Sequence, residues 1–330
     1  MDLTTFLVSV FCLIDDWLTD QHQAQHLRLR RRGPQPALTD SEVLTIECVG
    51  EFLGIDTDAG LYTYFRRHWG AWFPGLTRVH RTTFARQAAN LWALKQRLYQ
   101  HLLTQVGHDP AITLVDSVAV PICRFARAYR CRRLRELAGW GRDEVVKQTF
   151  LGLRAHLRVC WPGVIMEGWL TPANVSDLAA GQQLLAGVAG WVLADRNYGS
   201  QALAEQVSGH GGWLLAPPRG KRRSHEHPPP WLVGRRRRIE TVIGQLVARY
   251  HLKRVWARDA WHLWSRWLRK LLSHTVAVLL CQQQGLPPLR FAQLVTEPDP
   301  VRWTGCRLEW ITPRRLDPPA LLEGTGESCI

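Results

Sequence analysis

Residues 111–123 read "AITLVDSVAVPIC", an apolar run that follows Pro110, contains Pro121 and carries one acid, Asp116. A stretch this short and this apolar is how a central strand covered on both faces reads, so it predicts a sheet with helices on either side. By the two-residue period of a strand, Ile112, Leu114, Asp116, Val118 and Val120 share one face. An ionised carboxylate at that depth is costly unless a cation or hydrogen bonds compensate it. Asp116 is therefore the first candidate site residue.

The pattern around it alternates strands and helices. Residues 149–161 and 163–171 predict two strands joined at Pro162-Gly163, and 174–190 a helix capped by Asn174 or Ser176. "WVLAD" (191–195) is a further buried strand that ends in an acid, Asp195, at the edge where α/β sheets present ligand-binding groups. A helix (200–210), a strand (211–218) and a Pro/Arg/His-rich loop (217–230) lead to "RRRRIETVIGQL" (235–246). In that helix Glu240 is the only acid. At about 100° per residue, Ile239, Ile243, Leu246 and Tyr250 fall on one side of it and Arg235, Arg238 and Arg249 on the far side. Glu240 then borders the buried stripe, with Arg236 one turn before it. If the first three strands meander and the fourth runs parallel to the first, the two aspartates become neighbours and the later helix packs across them.

Each acid also has a plainer reading: Asp116 bonded to backbone amides, Asp195 a cap after a strand, Glu240 half of an i, i+4 pair with Arg236 worth about 0.3–0.5 kcal/mol. Three such acids in a strongly basic chain favour joint use. The formal net charge is +14 and only 5 of the 42 basic residues are lysine. Arginine suits bidentate phosphate recognition, so the expected partner is nucleic acid. Three carboxylates can hold two divalent cations at a phosphodiester.

Elsewhere the reading is helical. A polar connector (20–37) precedes "LTDSEVL", where Thr39 and Glu42 form a capping box; helices are expected at about 58–68 and 81–105, separated by "FPGLTRVHR". Arg81 and Arg86, with Gln87 and Asn90, would face a DNA groove from the last of these. A basic, aromatic-containing stretch occupies 124–147, one or two long helices 251–281, and a loose tail the final ~45 residues. The tryptophans at 256, 261, 264 and 267 have helical spacing and read as core or interface packing. The eight cysteines form no C-x-x-C pair and residues 3–14 are too short to span a bilayer, so a cytosolic protein with no membrane partner is expected.

These stretches resemble the DDE transposases of bacterial insertion sequences, over roughly 38–281. The resemblance is carried by "LTDSEVLTIECVGEFLGID", "LVDSVAVPIC", "FLGLRAHLRV", "GWLTPANVSD", "VLADRNYGS" and "RRRRIETVIGQL". It implies an α/β, ribonuclease H-like mixed sheet flanked by helices, with an all-α N-terminal region. The implied division is 1–109 for a helical region binding DNA ends, 110–282 for the catalytic domain and 283–330 for a poorly ordered tail. It further implies that Asp116, Asp195 and Glu240 hold two Mg²⁺ ions, with Mn²⁺ able to substitute. Arg236 matches the arginine of the glutamate-helix signature, and Lys147 and His156 match basic positions near the second strand. The DNA-binding set is then Arg235, Arg236, Arg237, Arg238, Arg249, Lys147, His156, Arg81 and Arg86. The signature has tyrosine at the position of Val233 and lysine at that of Val247.

The implied activity is metal-dependent cleavage and strand transfer at the terminal inverted repeats of the element, into target DNA, by a homodimer in the bacterial cytoplasm. The alternatives are an inactive, transposase-derived protein that recognises specific DNA, and a nuclease or resolvase that cuts without joining.

Overall fold

The computed structural model describes residues 1–25, 35–217, 230–296, 301–304 and 307–310. Half of the connector at 20–37, and most of the loop at 217–230 and of the final residues, lies outside that set, as does the side chain of Val233. Residues Met1–Glu297 form one compact unit and Pro298–Ile330 a second.

The first unit opens with helices α1 (Leu3–Gln25), α2 (Asp40–Phe52), α3 (Asp58–His68), α4 (Gly75–Arg78), α5 (Arg81–Asn90) and α6 (Trp92–Gln105). Thr39 and Glu42 make both halves of the capping box that starts α2, so that start was legible from side-chain chemistry alone. The expected helix 81–105 is instead two, broken at Leu91. Neither Gly nor Pro marks the break.

The sheet follows. It comprises β1 (Asp109–Arg124), β2 (Gly139–Asp143), β3 (Gln148–Trp161), β4 (Val164–Pro172), β5 (Gly190–Ala194) and β6 (Gly212–Leu215), with α7 (Phe125–Ala128), α8 (Asp177–Leu184) and α9 (Gln201–Gly209) between them. The order is β2-β3-β1-β5-β6, and β4 pairs with β3. β1 runs antiparallel to β3 and parallel to β5, as expected. The β3–β4 hairpin turns at Gly163, whose φ of 131° lies where only glycine is at ease. The strand β2 falls within the basic stretch and was not expected.

The alternation of β1 builds two cores. Ile112, Leu114, Val118 and Val120 enter the large core shared with the N-terminal helices and with α10 (Pro230–Ala248) and α11 (Ala260–Gln283). Val115, from the opposite face, joins Leu184, Val192, Leu203 and Val207 under α8 and α9. Both faces of the strand are thus covered, which is why its sequence is unbroken apolar. The arrangement is a mixed sheet flanked by helices with an all-α N-terminal region. A short helix, α12 (Phe291–Leu294), closes the unit.

α11 is buried along most of its length and joins helices to sheet. It starts only at Ala260, because Asp259 accepts from the His262 N–H at 2.9 Å and caps it. It carries two cations into the core. Arg269 bonds Glu51 at 2.7 Å, Asp58 at 2.9 Å and Glu47 at 3.3 Å, while Lys270 reaches Glu51 at 3.0 Å. Lys95 of α6 meets Glu47 at 2.7 Å. Of the tryptophan run, only Trp267 is buried, donating from Nε1 to the Gly168 carbonyl at 3.1 Å; Trp256, Trp261 and Trp264 are exposed.

Among the described residues no helix is long and apolar enough to cross a membrane. The second unit contains a hairpin of β7 (Val301–Thr304) and β8 (Arg307–Trp310), in a region expected to be unstructured.

Candidate active site

Asp116 stands in the middle of β1, opposite Leu157 of β3, and Asp195 directly follows the last residue of β5. The parallel pairing ends at Val115–Ala194, so the next residue on each strand is an aspartate. Register alone makes the two carboxylates neighbours.

Their hydrogen bonds use one oxygen each. Asp116 Oδ1 accepts from the Ser117 N–H at 2.7 Å. Asp195 Oδ1 accepts from the Arg196 N–H at 2.6 Å and from the Arg236 guanidinium at 3.0 Å. Among the described residues, Oδ2 of each makes no hydrogen bond. The Asp116 carboxyl is pushed up to about 6, chiefly by burial and also by the nearby charges of Asp195 and Asp177, with the Ser117 amide and Arg236 acting against them. Close, partly desolvated carboxylates of one sign make a hard-oxygen pair that a divalent cation would relieve.

Behind the pair lies a network the sequence reading did not pick out, centred on Asp177. Ser117 donates to Asp177 Oδ1 at 2.6 Å and accepts from Arg154 at 3.1 Å, and Asn197 donates to Asp177 Oδ2 at 3.2 Å. Asp177 occupies the first turn of α8, after the Ser176 cap. In sequence it looked like an ordinary first-turn acid. The network fixes the backbone next to Asp116.

His156, expected at DNA, is fully buried in this network. It shares a hydrogen bond with Thr171 at 2.9 Å, and burial pulls its imidazole down to about 4. It is a neutral internal group and cannot touch a phosphate. Gln87 is likewise internal, donating to Leu38 and Asp40, whereas Arg81 and Arg86 on the same helix are exposed.

The four arginines of α10 face different ways. Arg236 turns to Asp195. Arg235 and Arg238 stack on Trp161 with guanidinium carbons 4.8 and 4.9 Å from the ring, and Arg235 also lies 4.7 Å from Trp231. Arg237 is exposed. Arg249 lies over Phe52 at 4.6 Å and bonds its carbonyl at 2.8 Å, so it is spent on tying α10 to α2. Val247 is half-buried against the main core. Lys147 is exposed in the β2–β3 turn with φ 55° and pairs with Glu144 at 3.1 Å.

Glu240 is exposed, one turn beyond Arg236. The buried stripe of α10 is Leu232, Ile239, Val242 and Leu246, continued by Tyr250 just past the helix end, with Val242 where Ile243 was expected. That rotation turns Glu240 further toward solvent than its expected border position. Among the described residues, no three acid, His or Cys side chains converge as a metal group. The structure thus brings Asp116, Asp195 and Arg236 together and leaves Glu240 on the same helix, outside their contacts.

Residues 106–258 match a family described as a transposase DDE domain. Among solved structures, a piggyBac transposase in a synaptic complex with hairpin DNA aligns over 88% of this chain and 78% of that chain, at 9% identity and a TM-score of 0.38. No curated protein matches the chain.

Proposed function

We propose, from the match of residues 106–258 to a transposase DDE domain, that the chain is a DDE-type transposase that cleaves and rejoins DNA at the ends of its own insertion sequence. Asp116, Asp195 and Glu240 are the proposed metal-holding acids, with Mg²⁺ as the ion and Mn²⁺ as a substitute. The observation that carries the reading is the pair of aspartates at matched positions on adjacent parallel strands, with Arg236 bonded to one of them. The donor set suits a hard divalent cation: a raised Asp116 carboxyl and a free Oδ2 on each acid, among the described residues. When bound, such ions supply Lewis-acid charge at the scissile phosphodiester.

The remaining work falls to side chains. The Ser117–Asp177–Arg154 network holds Asp116 in register. Arg236 orients Asp195 through Oδ1. Glu240, one turn beyond Arg236 on α10, is the proposed third acid. Exposed Arg237, with Arg81 and Arg86 of α5, meets DNA phosphates. Residues 1–109 supply contacts to the terminal repeats, and two chains pair two ends.

The rival reading is end recognition without cutting. It draws on the exposure of Glu240 and on the hydrophobic use of Val247, where the family signature has a lysine. A supercoiled plasmid carrying the DNA that flanks this reading frame separates the two. We expect Mg²⁺-dependent nicking and joining, lost in Asp116→Asn. Specific binding with no cutting under Mg²⁺ or Mn²⁺ establishes the rival.

A further inference from the structure

The acids lie at the point where β5 stops, but β1 and β3 continue. Beyond Val115–Ala194 they stay paired as far as Arg124–Phe150. At about 3.3 Å per residue this arm extends about 26 Å past Asp116. The site above uses only its near end, at Ser117, Arg154 and His156.

Its far end carries three large rings that face solvent. Phe125, Tyr129 and Trp140 are 53%, 72% and 41% exposed. They nevertheless pack on one another, with centroids 6.4 Å apart for Phe125–Tyr129, 5.7 Å for Phe125–Trp140 and 5.9 Å for Tyr129–Trp140. Exposed rings clustered in this way mark a contact surface, since scattered surface aromatics would not meet. Between 124 and 142 the sequence has seven arginines and one acid, Glu136. Arg124, Arg127, Arg130, Arg132 and Arg135 are exposed around the rings. Beside Phe125 lies an open cleft of about 430 Å³, lined by Arg124, Phe125, Ala126, Gln148 and Thr149.

We propose that this arm is a stacking site for unpaired nucleotides of single-stranded DNA, separate from the acids. The proposal rests on the reading that the chain acts on DNA. A base in the cleft lies against the Phe125 ring, with Gln148 and Thr149 available to its polar edge and Arg124 to its phosphate. The Tyr129–Trp140 surface takes a neighbouring base. Aromatic faces interleaved with cations are the arrangement that holds a single strand, because every base has a π-face and every linkage a charge. A duplex keeps its bases stacked inside and offers the rings nothing. A second copy of this chain is disfavoured as occupant, because each carries a net charge of +14.

The test uses the full-length protein and fluorescence anisotropy with two probes: a labelled 20-nucleotide oligothymidine and a 20-base-pair duplex. The variants are Phe125→Ala/Tyr129→Ala, Trp140→Ala, and the conservative pair Tyr129→Phe and Trp140→Phe. All replaced rings are exposed, and thermal melting checks that the fold is kept. Loss of a stacked base weakens binding about 5- to 150-fold. The expected result is a loss in that range for the single strand in both alanine variants. Duplex affinity should stay within about twofold, and the phenylalanine variants should bind the single strand as the wild type does. Unchanged single-strand affinity overturns the proposal, as does an equal loss on both probes, or a loss of self-association in its place. Wild type that binds neither probe overturns the DNA reading itself, and this site with it.

Discussion

Replacing Asp116 by asparagine should stabilise the metal-free protein at neutral pH, although it removes a proposed catalytic group. Burial and two neighbouring acids raise the Asp116 carboxyl from 3.8 to about 6. Two pH units of raised pKa correspond to a cost of about 3 kcal/mol once the group is ionised in both states. The sign follows from the folded value lying above the unfolded one. Below about pH 3 the group is protonated in both states and costs nothing. The penalty grows as pH rises to about 6 and is complete above it. Asparagine keeps an oxygen to accept the Ser117 N–H, carries no charge at any pH, and escapes the penalty. The variant should therefore exceed wild type by about 1–3 kcal/mol at pH 7.5, or about 1–4 °C in melting temperature for a chain of this size. The advantage should fall to about 0.5 kcal/mol at pH 4. Thermal melting in chelator across that range reads it, and His156 does not confuse the comparison because both proteins carry it. Adding Mg²⁺ should raise the wild type and leave the variant unmoved. A variant less stable than wild type at pH 7.5, or an offset constant with pH, would refute this account of the site.

Three further outcomes follow from other contacts. Arg236→Gln removes the guanidinium that holds the Asp116 carboxyl down, so carbon-detected NMR should find Asp116 titrating at higher pH than in wild type. Asp177→Ala removes the acceptor of Ser117 and should cut the cleavage rate about 10- to 100-fold, with DNA affinity unchanged; Asp177→Asn, which keeps an acceptor, should recover most of it. Arg269→Met leaves Glu47 and Glu51 short of a buried partner, and urea unfolding should report a loss of about 3–5 kcal/mol.

The sheet was legible wherever burial had written itself into the sequence. The runs around Asp116 and Asp195 are apolar because both faces of β1 and β5 are covered, and their odd acids stood out for that reason. β2 was not legible: Gly139–Asp143 is a short strand at the sheet's edge, without alternation, held by backbone pairing to β3. Asp177 was hidden by its position, since an acid in a first helical turn needs no further purpose. The partners of Arg269 lie about 210–220 residues away in α2 and α3, beyond the reach of any local pattern. The orientation of α10 was missed by part of a turn. Val242 and Ile243 are equally apolar, and only packing decides which is buried.

Glu240 is the residue on which the proposed activity stands or falls, because the structure leaves it exposed and outside the aspartate pair. The most direct measurement compares wild type with Glu240→Gln on plasmid carrying the flanking DNA, in Mg²⁺. The exposed substitution should leave the melting temperature and duplex affinity unchanged while nicking and joining disappear. Cleavage at the wild-type rate by Glu240→Gln would contradict the account.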